Sequence, residues 1–181
     1  SNVTGTPTVQ NNSSTYEVVT SQNASCIDQG HFNQLSSPTG FNVDGNAFTG
    51  SAWDRTFGVT PAEMQALAGV AGSNVYWITQ STPWHTDLGS LGPPAQPVIA
   101  IFTNCAAITG GTSIVGVVYL FGACATNGWG DADIYGSVVV DGNVTSMNAN
   151  TNLRYDDDYV NGLTNQTVGV KARVPGTWID Q

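Results

Sequence analysis

Ser113-Ile114-Val115-Gly116 is followed by Asp133-Ile134-Tyr135-Gly136, and then by Asn152-Leu153-Arg154-Tyr155, where tyrosine stands in the glycine position. The first two blocks run into apolar stretches at 117–121 and 138–140, and Val98–Phe102 precedes them by one period. A fixed period of 19 or 20 residues is the mark of stacked backbone coils. Three short sides can be drawn in each coil. The first comprises 98–102, 117–121 and 137–140, the second 105–108, 124–126 and 144–147, and the third 113–115, 133–135 and 152–154. The expected fold is therefore mostly β, a short parallel β-helix-like stack of about three coils with one capping helix. Three coils is near the minimum for a stacked core, so both ends need caps. The helix after Thr60 and the tail at 174–180 are the candidates.

Composition agrees with a globular β chain. Of 181 residues, 40% are hydrophobic and only 9% are charged, against roughly 25% charged in an ordinary soluble domain. Ser, Thr, Asn and Gly carry the polarity, which suits short strands joined by tight turns. Four Lys and Arg face thirteen Asp and Glu, a net charge of -9. Arg55, Arg154, Lys171 and Arg173 are too scattered to form a basic patch, so nucleic acid and anionic membrane are not expected partners. No apolar window long enough to span a bilayer occurs. The chain begins with Ser and reads as processed or truncated.

The cysteines fit the period. Cys105 and Cys124 occupy the same phase of adjacent coils. Neighbouring strands lie about 4.8 Å apart, and a disulfide joins Cα atoms ~4.4–6.8 Å apart. A coil-to-coil staple in an oxidising compartment is expected, with two buried free thiols as the other reading. Cys26 is left over.

One globular domain is expected, in three parts: an N-terminal lead-in segment (1–40), a strand-turn-strand with helix and loop (41–96), and coils with a C-terminal cap (97–181). The stretch 41–48 reads as strand, turn, strand. Val-Asp-Gly-Asn recurs at 43–46 and 140–143, so Gly45 and Gly142 are expected turn residues, and Gly116 and Gly136 are expected structural turns as well. Thr60-Pro61-Ala62-Glu63 combines an N-cap, a first-turn proline and a capping-box glutamate. Met64, Leu67, Ala68 and Ala71 follow at helical spacing, and Gly72 is the expected stop. Trp53 and Phe57 should pack beneath this helix, and 75–79 reads as a strand. The long Pro/Gly-rich loop 81–97 offers Trp84, His85, Leu88 and Leu91 as partner-surface candidates.

Chemistry is thinly represented. Asp156, Asp157 and Asp158, with Asp131 and Asp133 a coil earlier, are the densest acidic group and resemble the carboxylate clusters of pectin-degrading β-helices. They read either as a calcium or catalytic site or as a solvated turn, since alternate strand residues face opposite ways. Asp44 and Asp141 are explained by turn chemistry. His31 and His85, the two histidines, have no triad pattern around them. No catalytic residue, metal or cofactor is assigned.

Several blocks together resemble the soluble domain of a PilX-type minor pilin of bacterial type IV pili. They are Trp53 to Met64, the Pro-x-Ile-x-Ile of 97–101, Gly116-Val117-Val118-Tyr119, the stretch 134–144, Leu153-Arg154-Tyr155-Asp156 and the terminal Val174-Pro175-Gly176-Thr177-Trp178. The resemblance runs from about Phe41 to the C-terminus. It implies a subunit without enzymatic activity that assembles with other minor and major pilins and a tip adhesin to prime the pilus. It also implies an N-terminal membrane-anchoring helix that this chain lacks, and residence in the inner membrane and periplasm before incorporation into the pilus at the cell surface. Adhesion and twitching motility are the associated processes. Two other classes stay open: a carbohydrate-active β-helix using the Asp cluster, and a carbohydrate-binding adhesin with Trp84, Trp129 and Tyr135 as a stacking platform.

Overall fold

The computed structural model describes 50–81, 84, 90–104, 108, 111–121, 132–141, 152–154, 159 and 163, together with the backbone alone of 2–3, 8–11, 18–19, 33–34, 43–44, 146–147 and 155. In chain order the strands are β1 (Asn2–Val3), β2 (Thr8–Asn11), β3 (Val18–Val19), β4 (Asn33–Gln34), β5 (Val43–Asp44), β6 (Val75–Ile78), β7 (Ser90–Leu91), β8 (Val98–Phe102), β9 (Ser113–Leu120), β10 (Asp133–Val140), β11 (Ser146–Met147) and β12 (Asn152–Tyr155). Two helices, α1 (Ala52–Thr56) and α2 (Pro61–Ala68), precede β6.

The dominant element is an eight-stranded parallel sheet in the order β4-β2-β12-β10-β9-β8-β6, with β7 also on β9. Residue composition explains its place in the molecule. Parallel strands are covered on both faces and so read as continuous apolar runs, and all five residues of β8 are buried. The links between successive long strands span 103–112, 121–132 and 141–151, at or just under the dozen residues that a helical crossover needs.

The quoted blocks stand directly on one another. Ser113, Asp133 and Asn152 occupy one column, and Ile114, Ile134 and Leu153 the next. Val115, Tyr135 and Arg154 form the third. Two details differ from expectation. Val98 pairs with Gly116, not Val117. The first and third expected sides are also one continuous strand: β9 and β10 run eight residues each, straight through the glycines. Gly116 and Gly136 thus lie within strands, at φ 133° and 135°, where expectation had them as turns. Gly45 and Gly142 lie outside the described residues.

Offsets repeat at more than one place along the chain. Val75 pairs with Ile99 and Trp84 bridges Ile108, both 24 residues apart. β1 on β11 and β2 on β12 share an offset of 144. β2 on β4 and β3 on β5 share an offset of 25. The sheet therefore crosses both expected boundaries, at 40 and 96. It also continues past β12 onto β2, so the position of Tyr155 is not a terminal edge. Val43–Asp44 pairs in parallel with Val18–Val19; the rest of the expected 41–48 turn lies outside the described residues.

Two cores sandwich the sheet. One face carries Ile99, Ile101, Val117 and Tyr119 beneath Ala52, Trp53, Phe57, Met64 and Leu163. The other carries Val98, Ala100, Phe102, Ile114, Val118, Leu120 and Ile134 against Leu91, Ile108 and Ala132. Trp53 and Phe57 share a core with Met64 of α2, and α2 packs on β6, the end strand of the described sheet. A second short helix, α1, accompanies it. The Thr60 capping box is complete. The helix stops at Ala68 with Gly69 as its C-cap, three residues before Gly72. The C-terminal tail at 174–180 lies outside the described residues.

Candidate functional site

Among the described residues β6 is the last strand of the sheet at one end, and the site is built around it. Its position follows from local chemistry. Thr60 and Glu63 start α2 by satisfying each other's backbone N–H groups. Those bonds hold the Glu63 carboxyl below its usual range, the backbone Thr60 bond first and the Thr60 side chain second. Met64, fully buried, pins the helix to the sheet. Gly69 and the following turn then reverse the chain into β6.

Burial falls off sharply along the register at this end. Trp77 stands on Ile101, Ile78 on Phe102 and Trp84 on Ile108. The three inner residues are all 0% exposed, whereas Trp77, Ile78 and Trp84 are only partly buried. The exposed large hydrophobics among the described residues are Tyr76, at 42% within β6, and Val70, at 56% in the turn after α2. From Met64 to Thr86 the sequence contains no Asp, Glu, Lys or Arg. Edge strands in monomers usually carry charge, proline or a bulge. β6, Val-Tyr-Trp-Ile, carries neither charge nor proline.

Behind β6, an aromatic cluster stiffens the outer face. Trp53 lies 4.6 Å from Phe57, 5.0 Å from Tyr119 and 5.6 Å from Phe121, centroid to centroid. Its Nε1 donates to the Val59 carbonyl at 2.7 Å. Tyr119 is fully buried and its hydroxyl closes no hydrogen bond in bonding geometry. Burial, then the nearby Asp141 and Asp54 charges, push this phenol far above its ordinary range. Asp141 biases the hydroxyl without being seated squarely on it.

The expected site residues distribute as follows. Leu91 is buried at 7% exposure, and Trp84 is turned inward against Phe102 at 5.2 Å. Trp84 remains partly buried. His85 and Leu88 lie outside the described residues. Of the acidic group, only Asp133 is described: its Oδ1 accepts a hydrogen bond from Asn152 Nδ2 at 2.6 Å, which ties two rungs together. Asp131, Asp156, Asp157 and Asp158 lie outside the described residues. So do Cys26, Cys105 and Cys124; the nearest described pairing, Phe102 with Leu120, is offset by 18 residues, one fewer than the spacing between Cys105 and Cys124. Of the stacking platform, Trp84 faces inward, Trp129 is not among the described residues, and the Tyr135 ring has the Arg154 guanidinium 5.4 Å from its centroid.

Sequence reasoning missed Val70, Tyr76 and the β6 edge. No sequence signal marks them, since 88–130 is a longer charge-free run than 64–86. Among the described residues, no three His, Cys, Asp or Glu side chains are placed to hold a metal, and no helix is long and apolar enough to cross a membrane. No family model, no curated protein and no solved structure matches the chain.

Proposed function

We propose that the chain is the β-helical head of a non-catalytic assembly subunit of the minor-pilin type. In this reading it joins other minor and major pilins and a tip adhesin in priming a type IV pilus. It would be held at the inner membrane through an anchoring helix before assembly and be exposed on the pilus afterwards. The observation that carries the reading is the end of the described sheet at β6, where Tyr76 is exposed and Trp77 and Ile78 are only partly buried.

Supporting the coiled architecture are the repeated offsets: a flat sheet has no reason to reproduce one offset at two separate places along the chain. The sequence blocks that resemble minor pilins include elements placed at the centre of the molecule. The Trp53–Met64 block forms α1, the α2 cap and the buried anchor Met64, and Gly116–Tyr119 lies in β9.

The role asks for rigidity and contact surface. Terminal repeats of a stacked fold must be covered to stay soluble, and a neighbouring subunit is a natural cover. Calorimetry of the purified head against each co-assembling minor pilin and against the adhesin fragment should register binding. Absence of binding to all of them, together with normal piliation in a deletion strain, would overturn the reading.

A further inference from the structure

We draw no further inference here: the strongest candidate, the side-chain cluster where Asp133 and Tyr135 of β10 stand beside Asn152 and Arg154 of β12, carries nothing, because these groups engage one another, Asn152 with Asp133 and Arg154 with Tyr135, and nothing in the structure shows what else they would hold.

Discussion

Gly136 stands on Gly116 in the parallel register of β9 and β10, and both adopt a backbone that side-chain-bearing residues rarely take, at φ 135° and 133°. A Cβ on Gly136 would run into the Gly116 carbonyl oxygen, and a Cβ on Gly116 into the Val98 carbonyl oxygen. The feature is therefore shared: β9 and β10 take this backbone at one height because neither has a side chain there. Gly136→Ala and Gly116→Ala each combine backbone strain with a clash against main chain, which cannot rotate away. A loss of about 2–4 kcal/mol is expected for each, read as a fall in the urea midpoint. A loss below half a kcal/mol would mean that the shared backbone is not required there.

Tyr119 makes a prediction of opposite sign. Its ring is wanted in the aromatic cluster beside Trp53 and Phe57, whereas its hydroxyl is buried without a partner in bonding geometry. Removing an unsatisfied buried hydroxyl is neutral or stabilising, so Tyr119→Phe should leave the melting temperature unchanged or raise it. The pH dependence follows from linkage. The folded phenol titrates above its unfolded value of 10.0. Its contribution is therefore fully present below that pH and is lost as pH rises beyond it, because only the unfolded chain releases the proton there. The variant should lose less stability than the parent on the alkaline side. A neutral-pH loss above about 1 kcal/mol would instead indicate a formed bond from the hydroxyl.

Periodicity made the centre of the sheet readable before any coordinates. The columns through Ser113, Ile114 and Val115 are set by a one-to-one repeat, and a one-residue slip would turn every side chain to the wrong face. The α2 start was readable because Thr60 and Glu63 meet each other locally. What escaped depends on distant partners. α1 is only five residues long and is held by Trp53 against Tyr119 and Phe121, a contact that no local pattern announces. The pairing of β2 with β12 joins segments 144 residues apart in the chain, and nothing in the 19–20-residue period points to it. Leu91 and Trp84 looked like loop residues free for a partner because the surrounding prolines and glycines conceal that each belongs to a rung. The place of β6 at the end of the described sheet is set by which strands pair with which, and a charge-free run does not single it out, since 88–130 is charge-free too.

The α2 cap gives a prediction with a clear pH signature. Thr60→Ala removes the acceptor for the Glu63 N–H at 3.3 Å and the hydroxyl that donates to Glu63 Oε2 at 2.7 Å. A loss of about 1 kcal/mol is expected from the cap. Glu63→Gln tests the charge. The Glu63 carboxyl is held below its unfolded value, so its contribution is present above that value and disappears as pH falls through the folded one. The parent should lose more stability than Glu63→Gln on acidification, with the two curves converging at the acid end. Parallel curves would show that the carboxylate charge is not what the cap uses.

The bond from Asn152 to Asp133 ties β12 to β10 at 2.6 Å in a partly buried setting. Its acceptor is a carboxylate, and hydrogen bonds to charged groups are worth about 1.5–3 kcal/mol net when well formed. Partial exposure places this one at the lower end. Asp133→Ala and Asn152→Ala should each destabilise, and a double-mutant cycle should return a coupling of about 1 kcal/mol. The cycle also bears on the alternative chemistry for the acidic residues. A carboxylate engaged in a rung-to-rung bond stabilises the sheet and should be insensitive to calcium. Equal melting temperatures for parent and Asp133→Ala differences with and without calcium would agree with that structural role. A calcium-dependent rise in the parent melting temperature that vanishes in Asp133→Ala would make Asp133 a ligand and remove the ladder account of this residue.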